Sequence, residues 1–128
     1  MSKKKVYYAH NMGLYNTAQE ERDIYALEKM GFEVVNPNTP AISDEFKSAT
    51  TVLSYKDAFV SVFGGAISEC DVFAFRALPD GRIPSGVYWE MELALEEGQA
   101  IIELPHSPAS RKMNPEQTRE YLREIGQR

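Results

Sequence analysis

Short apolar runs alternate with stretches of helical periodicity along this chain, and that alternation narrows the possible folds more than any other feature. Lys5-Val6-Tyr7-Tyr8-Ala9-His10 has the pattern of a buried strand, closed by a polar turn from Asn11 to Gly13. Thr17 then offers an N-cap with Glu20 three residues on to complete a capping box, and Ile24, Leu27 and Met30 share one face until Gly31 stops the helix. Phe32-Glu33-Val34-Val35-Asn36-Pro37 reads as a second strand ended by proline. Residues 38–47 are rich in Pro, Ser, Thr and acids, which predicts a surface loop, too short for a domain linker, where a lid could form. From Tyr55 onward, Phe59, Val62, Phe63, Ala66 and Ile67 fall on one face of a helix that Gly64-Gly65 weakens locally. A third strand over 70–75, a turn at 79–82, a helix over 86–97 and a fourth strand over 100–104 follow. Residues 107–114 lack periodicity, and Pro115 opens a terminal helix carrying Tyr121, Leu122 and Ile125.

Strand and helix in repeated succession predict an α/β protein: a short parallel sheet with helices on both faces and a ligand cleft at the carboxyl ends of the strands. The chain has 128 residues, 43% of them hydrophobic, which suffices for one core and hence one domain. The ends of the first and third strands and the start of the 86–97 helix are expected to meet there. Tyr7, Tyr8, His10, Asn11, Asp71 and Glu90 are the polar residues so gathered. Glu90 follows Gly86 by four residues, where a loop runs into a helix. A carboxylate in a first helical turn is expected to feel the positive end of the dipole and stay ionised, as a nucleophile or oxocarbenium stabiliser requires.

Charge and composition exclude several classes of partner. A net charge of −5 with scattered basic residues argues against a polynucleotide, though local groups could still hold one nucleotide. The single cysteine, Cys70, cannot form an intrachain disulfide and fits a reducing compartment. No apolar run is long enough to cross a bilayer, and the basic start lacks the hydrophobic region of a signal peptide, so cytoplasmic residence is the expectation. Two histidines far apart offer no metal-ligand spacing, and the Gly13 loop has neither dinucleotide nor P-loop glycines, so no metal or cofactor is expected.

Four segments carry a resemblance: Val6-Tyr7-Tyr8-Ala9; Gly31-Phe32-Glu33-Val34-Val35-Asn36-Pro37; Cys70-Asp71-Val72-Phe73-Ala74; and Gly86-Val87-Tyr88-Trp89-Glu90 with Ala94 and Gly98. In order and spacing they resemble the nucleoside 2-deoxyribosyltransferase superfamily, which includes the 2'-deoxynucleoside 5'-phosphate N-hydrolases and CMP N-glycosidases. The likeness spans roughly residues 5 to 104. It implies a flavodoxin-like, Rossmann-like three-layer α/β/α sandwich acting on a small nucleoside or nucleotide. The matched Glu90 would attack the anomeric carbon, Asp71 would assist the leaving base, and Tyr7 would hold Glu90 through its hydroxyl. Tyr8, His10, Asn11, Ser85, Gly86 and Trp89 would line the substrate. The resemblance also implies a homodimer or higher homo-oligomer.

The chain departs from the family's pattern at three places. Glu92 stands where many relatives have glycine, Ile83-Pro84-Ser85 replaces an acid before the motif glycine, and His10-Asn11-Met12-Gly13 replaces phosphate-binding Ser and Arg. These departures keep a second class open, a non-catalytic nucleotide-binding or sensing module on the same fold. Plainer readings also stand beside each site residue. Glu90 would serve the helix dipole alone, Asp71 would cap a turn, His10 would be a polar strand end, and Tyr88 and Trp89 would pack on the sheet.

Overall fold

β1 (Lys5–Ala9) has four of its five residues buried and is an inner strand of the sheet. The computed structural model describes residues 3–105 and 112–127. β2 (Glu33–Val35) and β3 (Val72–Phe75) flank β1, and β4 (Ala100–Glu103) pairs with β3, giving the order β2-β1-β3-β4 with every pair parallel. The register aligns Tyr7 with Val35 on one side and with Phe73 on the other. The chain thus winds outward in one direction from β1 and then in the other, the flavodoxin-like arrangement, with the switch point between β1 and β3.

Alternation along β1 divides the core in two. Val6 and Tyr8 pack with Leu27, Ala74 and Leu104 on the face covered by α1 (Ala18–Lys29). Tyr7 and Ala9 pack with Phe73, Phe75, Ile67, Val87 and Ala94 on the other face, covered by α3 (Tyr55–Ser68) and α4 (Ser85–Glu96). Thr17 caps α1 by accepting from the Glu20 amide, but the expected capping box does not close, since the Glu20 side chain accepts from the Asn16 amide instead; Gly31, at φ 97°, lets the chain turn into β2.

The expected loop at 38–47 is instead largely helical: α2 runs Pro40–Ala49. Thr39 is its N-cap, accepting from the Ile42 amide, and Pro40 occupies the first turn. The residues that looked loop-like are therefore cap chemistry. Phe46 then packs edge-on against Tyr55 and beside Phe63, which ties α2 to α3. A terminal helix, α5 (Pro115–Glu124), opens at Asn114 with a full capping box. The irregular segment expected at 107–114 lies mostly outside the described residues. Among the described residues no helix is long and apolar enough to cross a membrane.

Candidate active site

α4 turns Val87, Glu90 and Ala94 toward the sheet, so a carboxylate sits on an otherwise apolar stripe. Directly opposite, Tyr7 rises from β1, fully buried and stacked on Phe73 at 5.8 Å between ring centroids. The Tyr7 hydroxyl donates a hydrogen bond to Glu90 Oε2. Glu90 keeps only 7% of its surface. Burial pushes its carboxyl up to about 7, and the Tyr7 bond only partly opposes this. This corrects the expectation of a dipole-stabilised, fully ionised group. Helix α4 begins at Ser85, which puts Glu90 in its second turn, where the dipole has faded and desolvation wins. Burial and the neighbouring Glu90 hold the Tyr7 phenol well above its usual range.

A second polar cluster lies under the same end of β1 but on the α1 face. The Tyr8 hydroxyl donates to Asp23 at 2.6 Å, and Arg76, directly after β3, grips the same carboxylate through Nε and Nη2 at 2.6 and 2.7 Å. Arg76 Nη1 also reaches the Pro105 carbonyl at 2.8 Å. Burial alone would raise Asp23, yet bonds from Arg76, Tyr8 and Gln19 hold it below the usual carboxylate range. His10 stacks on Tyr8 at 3.9 Å, with Nδ1 3.1 Å from the Tyr8 carbonyl and Nε2 2.7 Å from Glu20 Oε2. Glu20 likewise stays below its usual range against the pull of burial, held by His10, the Asn16 amide and Asn38.

Of the residues singled out in the sequence, Tyr7 and Glu90 meet. Ser85 and Gly86 form the first turn of α4, which has no side-chain cap, and a Cβ on Gly86 would meet nothing within 4 Å. Asn11 caps a single 3-10 turn over Met12–Leu14 just beyond β1. Four expectations need correction. Asp71 precedes β3 and so stands at the amino end of the sheet, exposed, accepting from the Lys5 amide at 2.9 Å. Tyr8 is fully buried on the opposite face from Glu90 and is spent on Asp23. His10 has no exposed side-chain surface, and both its ring nitrogens are engaged. Trp89 lies one residue round the helix from Glu90, edge-on to Phe59, in an outer groove of about 350 Å³ between α3 and α4 that Glu90 does not line.

Sequence reasoning missed Asp23, Asn38 and Arg76, and read Glu20 only as the partner of the Thr17 cap. One signal was present: Glu20, Asp23 and Leu27 repeat at three and four residues, which puts two acids on the buried stripe of α1.

Fold and site together define a flavodoxin-like α/β protein with a buried phenol–carboxylate pair beside its switch point. No family model matches the chain, and no curated protein matches it. Among solved structures, the CMP N-glycosidase BcmB of Clostridium botulinum is similar, with 24% identity, a TM-score of 0.51, and coverage of 96% of this chain and 98% of that one. That likeness establishes the shared fold.

Proposed function

We propose that the protein cleaves or exchanges the N-glycosidic bond of a nucleoside or nucleoside monophosphate, hydrolysis ahead of transfer, with Glu90 as nucleophile. The observation that carries this reading is the Tyr7–Glu90 pair, buried on the apolar face of α4 beside the β1/β3 switch point. The similar structure is that of a CMP N-glycosidase, which supports the same class of substrate. The uncapped first turn of α4 offers free backbone donors for a phosphate.

In the proposed reaction the Glu90 carboxylate attacks the anomeric carbon while the bond to the base breaks. The base leaves with the electron pair and takes its proton from water, since Asp71 stands at the far end of the sheet. Water, or a second base, then releases the sugar from Glu90. Tyr7 orients the carboxylate and lowers its proton affinity, so a larger fraction is ionised at neutral pH. Because Glu90 lies near 7, cleavage is expected to rise with pH through an apparent pKa of about 7.

The test is base release from ribo- and deoxyribonucleosides and their monophosphates, CMP included, with and without an added free base. Release that vanishes in Glu90→Gln supports the reading; undiminished release in that variant sinks it. A second reading, a non-catalytic nucleotide-binding or sensing module, draws on one observation: Asp71 does not supply a second carboxylate beside Glu90. Binding of an intact nucleotide with no product over hours would favour it. Self-association belongs to the first reading, supported by exposed Tyr55, Tyr88 and Leu95 on α3 and α4. A monomer by light scattering at working concentration counts against it.

A further inference from the structure

α5 is built as a stable helix yet buries none of its own residues. It opens on the Asn114 capping box, carries Pro115 in its first turn and gives way to Gly126 at φ 76°. Thr118, Tyr121, Leu122 and Ile125 fall at i, i+3, i+4 and i+7 and make one apolar stripe. Tyr121 and Ile125 on that stripe stand exposed, and α5 is absent from the element pairs that carry the packing of the fold. A helix of ten residues holds poorly in water by itself, because helices this short take their stability from packing an apolar face. The stripe therefore needs a surface to cover it. Its two flanks carry opposite charge: Arg119 and Arg123 line one side, Glu120 and Glu124 the other, each pair four residues apart.

The outer groove between α3 and α4 has the complementary pattern. Val60 on α3 and Trp89 and Leu93 on α4 give it an apolar floor, with Val60 and Trp89 exposed. Glu92 and Glu96 stand along the α4 wall, again four residues apart, and Lys56 stands on the α3 wall. Among the described residues none of these three charges, nor any of the four that flank the α5 stripe, holds an ion pair. A helix laid in this groove buries its stripe on the floor, as amphipathic helices do in apolar grooves. Of the two directions it can run, one sets Arg119 and Arg123 against Glu92 and Glu96 and turns Glu120 and Glu124 toward Lys56. The other direction opposes like charges on both walls, so charge selects the first. Stripe and groove belong to the same chain and are both uncovered. Two copies related by a two-fold axis satisfy each of them twice, every copy lending its α5 to the other.

We propose that the α3/α4 groove is filled by α5 of a second copy of this chain, exchanged reciprocally about a two-fold axis. The exchange gives the self-association named above its surface and is independent of the glycosidic reading, which base release tests separately. Two double variants test it by sedimentation over a range of concentrations. Arg119→Glu/Arg123→Glu reverses the helix, and Glu92→Arg/Glu96→Arg reverses the groove. All four side chains are exposed, so circular dichroism should show the fold unchanged in both. The wild type is expected to be a dimer, and each variant alone should have its dimer Kd raised roughly a hundredfold by facing like charges. Mixing the two variants should restore pairing between one copy of each, resolved by native mass spectrometry, because both docks of the mixed pair are then complementary. Docking of α5 on its own chain would also be broken by each reversal, but mixing would not repair it. Tyr121→Ser, which shortens the stripe without touching charge, should weaken the dimer as well. A monomeric wild type, a mixture that fails to pair, or a Tyr121→Ser dimer as tight as the wild type overturns the proposal. Variants that associate alone as tightly as the wild type also overturn it, and leave self-association standing through another face.

Discussion

Glu90 titrates near neutrality because α4 turns it toward the sheet and away from water. The Tyr7 hydrogen bond is the one influence that favours its charged form. Tyr7→Phe should therefore move the Glu90 carboxyl above 7 while leaving the stack on Phe73 in place. Carbon NMR of the side-chain carboxyl checks this; an unchanged or lower midpoint would refute it. The site was legible in the sequence only in part. The two-residue period of a strand separates Tyr7 from Tyr8, and the structure puts them on opposite faces. Asp71 was misplaced because face and height along a strand are independent. A residue just before a strand stands at the amino end, whereas clefts in parallel sheets form at the carboxyl end. Arg76, immediately after β3, is at the correct end and is consumed by Asp23. Such long-range pairs leave no periodic trace, since their partners lie 53 residues apart.

Among the elements, capping residues were legible where an apolar stripe followed them and illegible where it did not. Thr17 and Glu20 announced α1, but Thr39-Pro40 read as part of a surface loop because Pro, Ser, Thr and acids fill the segment and none of its helical residues is buried. Glycine carries opposite meanings in two elements, and this can be measured. Gly65 lies exposed in α3 with nothing within 4 Å of an added Cβ, so Gly65→Ala should stabilise the protein by up to about 1 kcal/mol through helix propensity. Gly31 has equal space but sits at φ 97°, so Gly31→Ala should cost about 1 kcal/mol through backbone strain. Denaturant unfolding with unchanged m-values decides both. Equal effects of the same sign would show that space, not backbone conformation, governs these sites.

For the molecule as a whole, the parallel sheet was readable because consecutive apolar runs separated by helices leave few other topologies. The balance of its buried charges was not, since it depends on which partners burial brings together. That balance sets how stability responds to pH. Asp23 and Glu20 are held below their usual range, so their stabilisation is present at neutral pH and lost as pH falls through their folded values. Glu90 acts in the opposite sense. Its carboxyl is raised from 4.5 to about 7, so the folded state keeps a proton that the unfolded chain releases. Stability from this group is full below about 4.5 and is lost as pH climbs to about 7, by at most roughly 3 kcal/mol. Thermal unfolding of the wild type should thus peak on the acid side of neutrality and decline toward pH 8. Glu90→Gln, which keeps an acceptor for Tyr7 but cannot ionise, should remove the decline, so the two curves diverge between pH 5 and 8. Parallel curves over that interval would mean that Glu90 is solvated in the folded protein. The pair with Tyr7 would then lack the desolvation on which its chemistry depends.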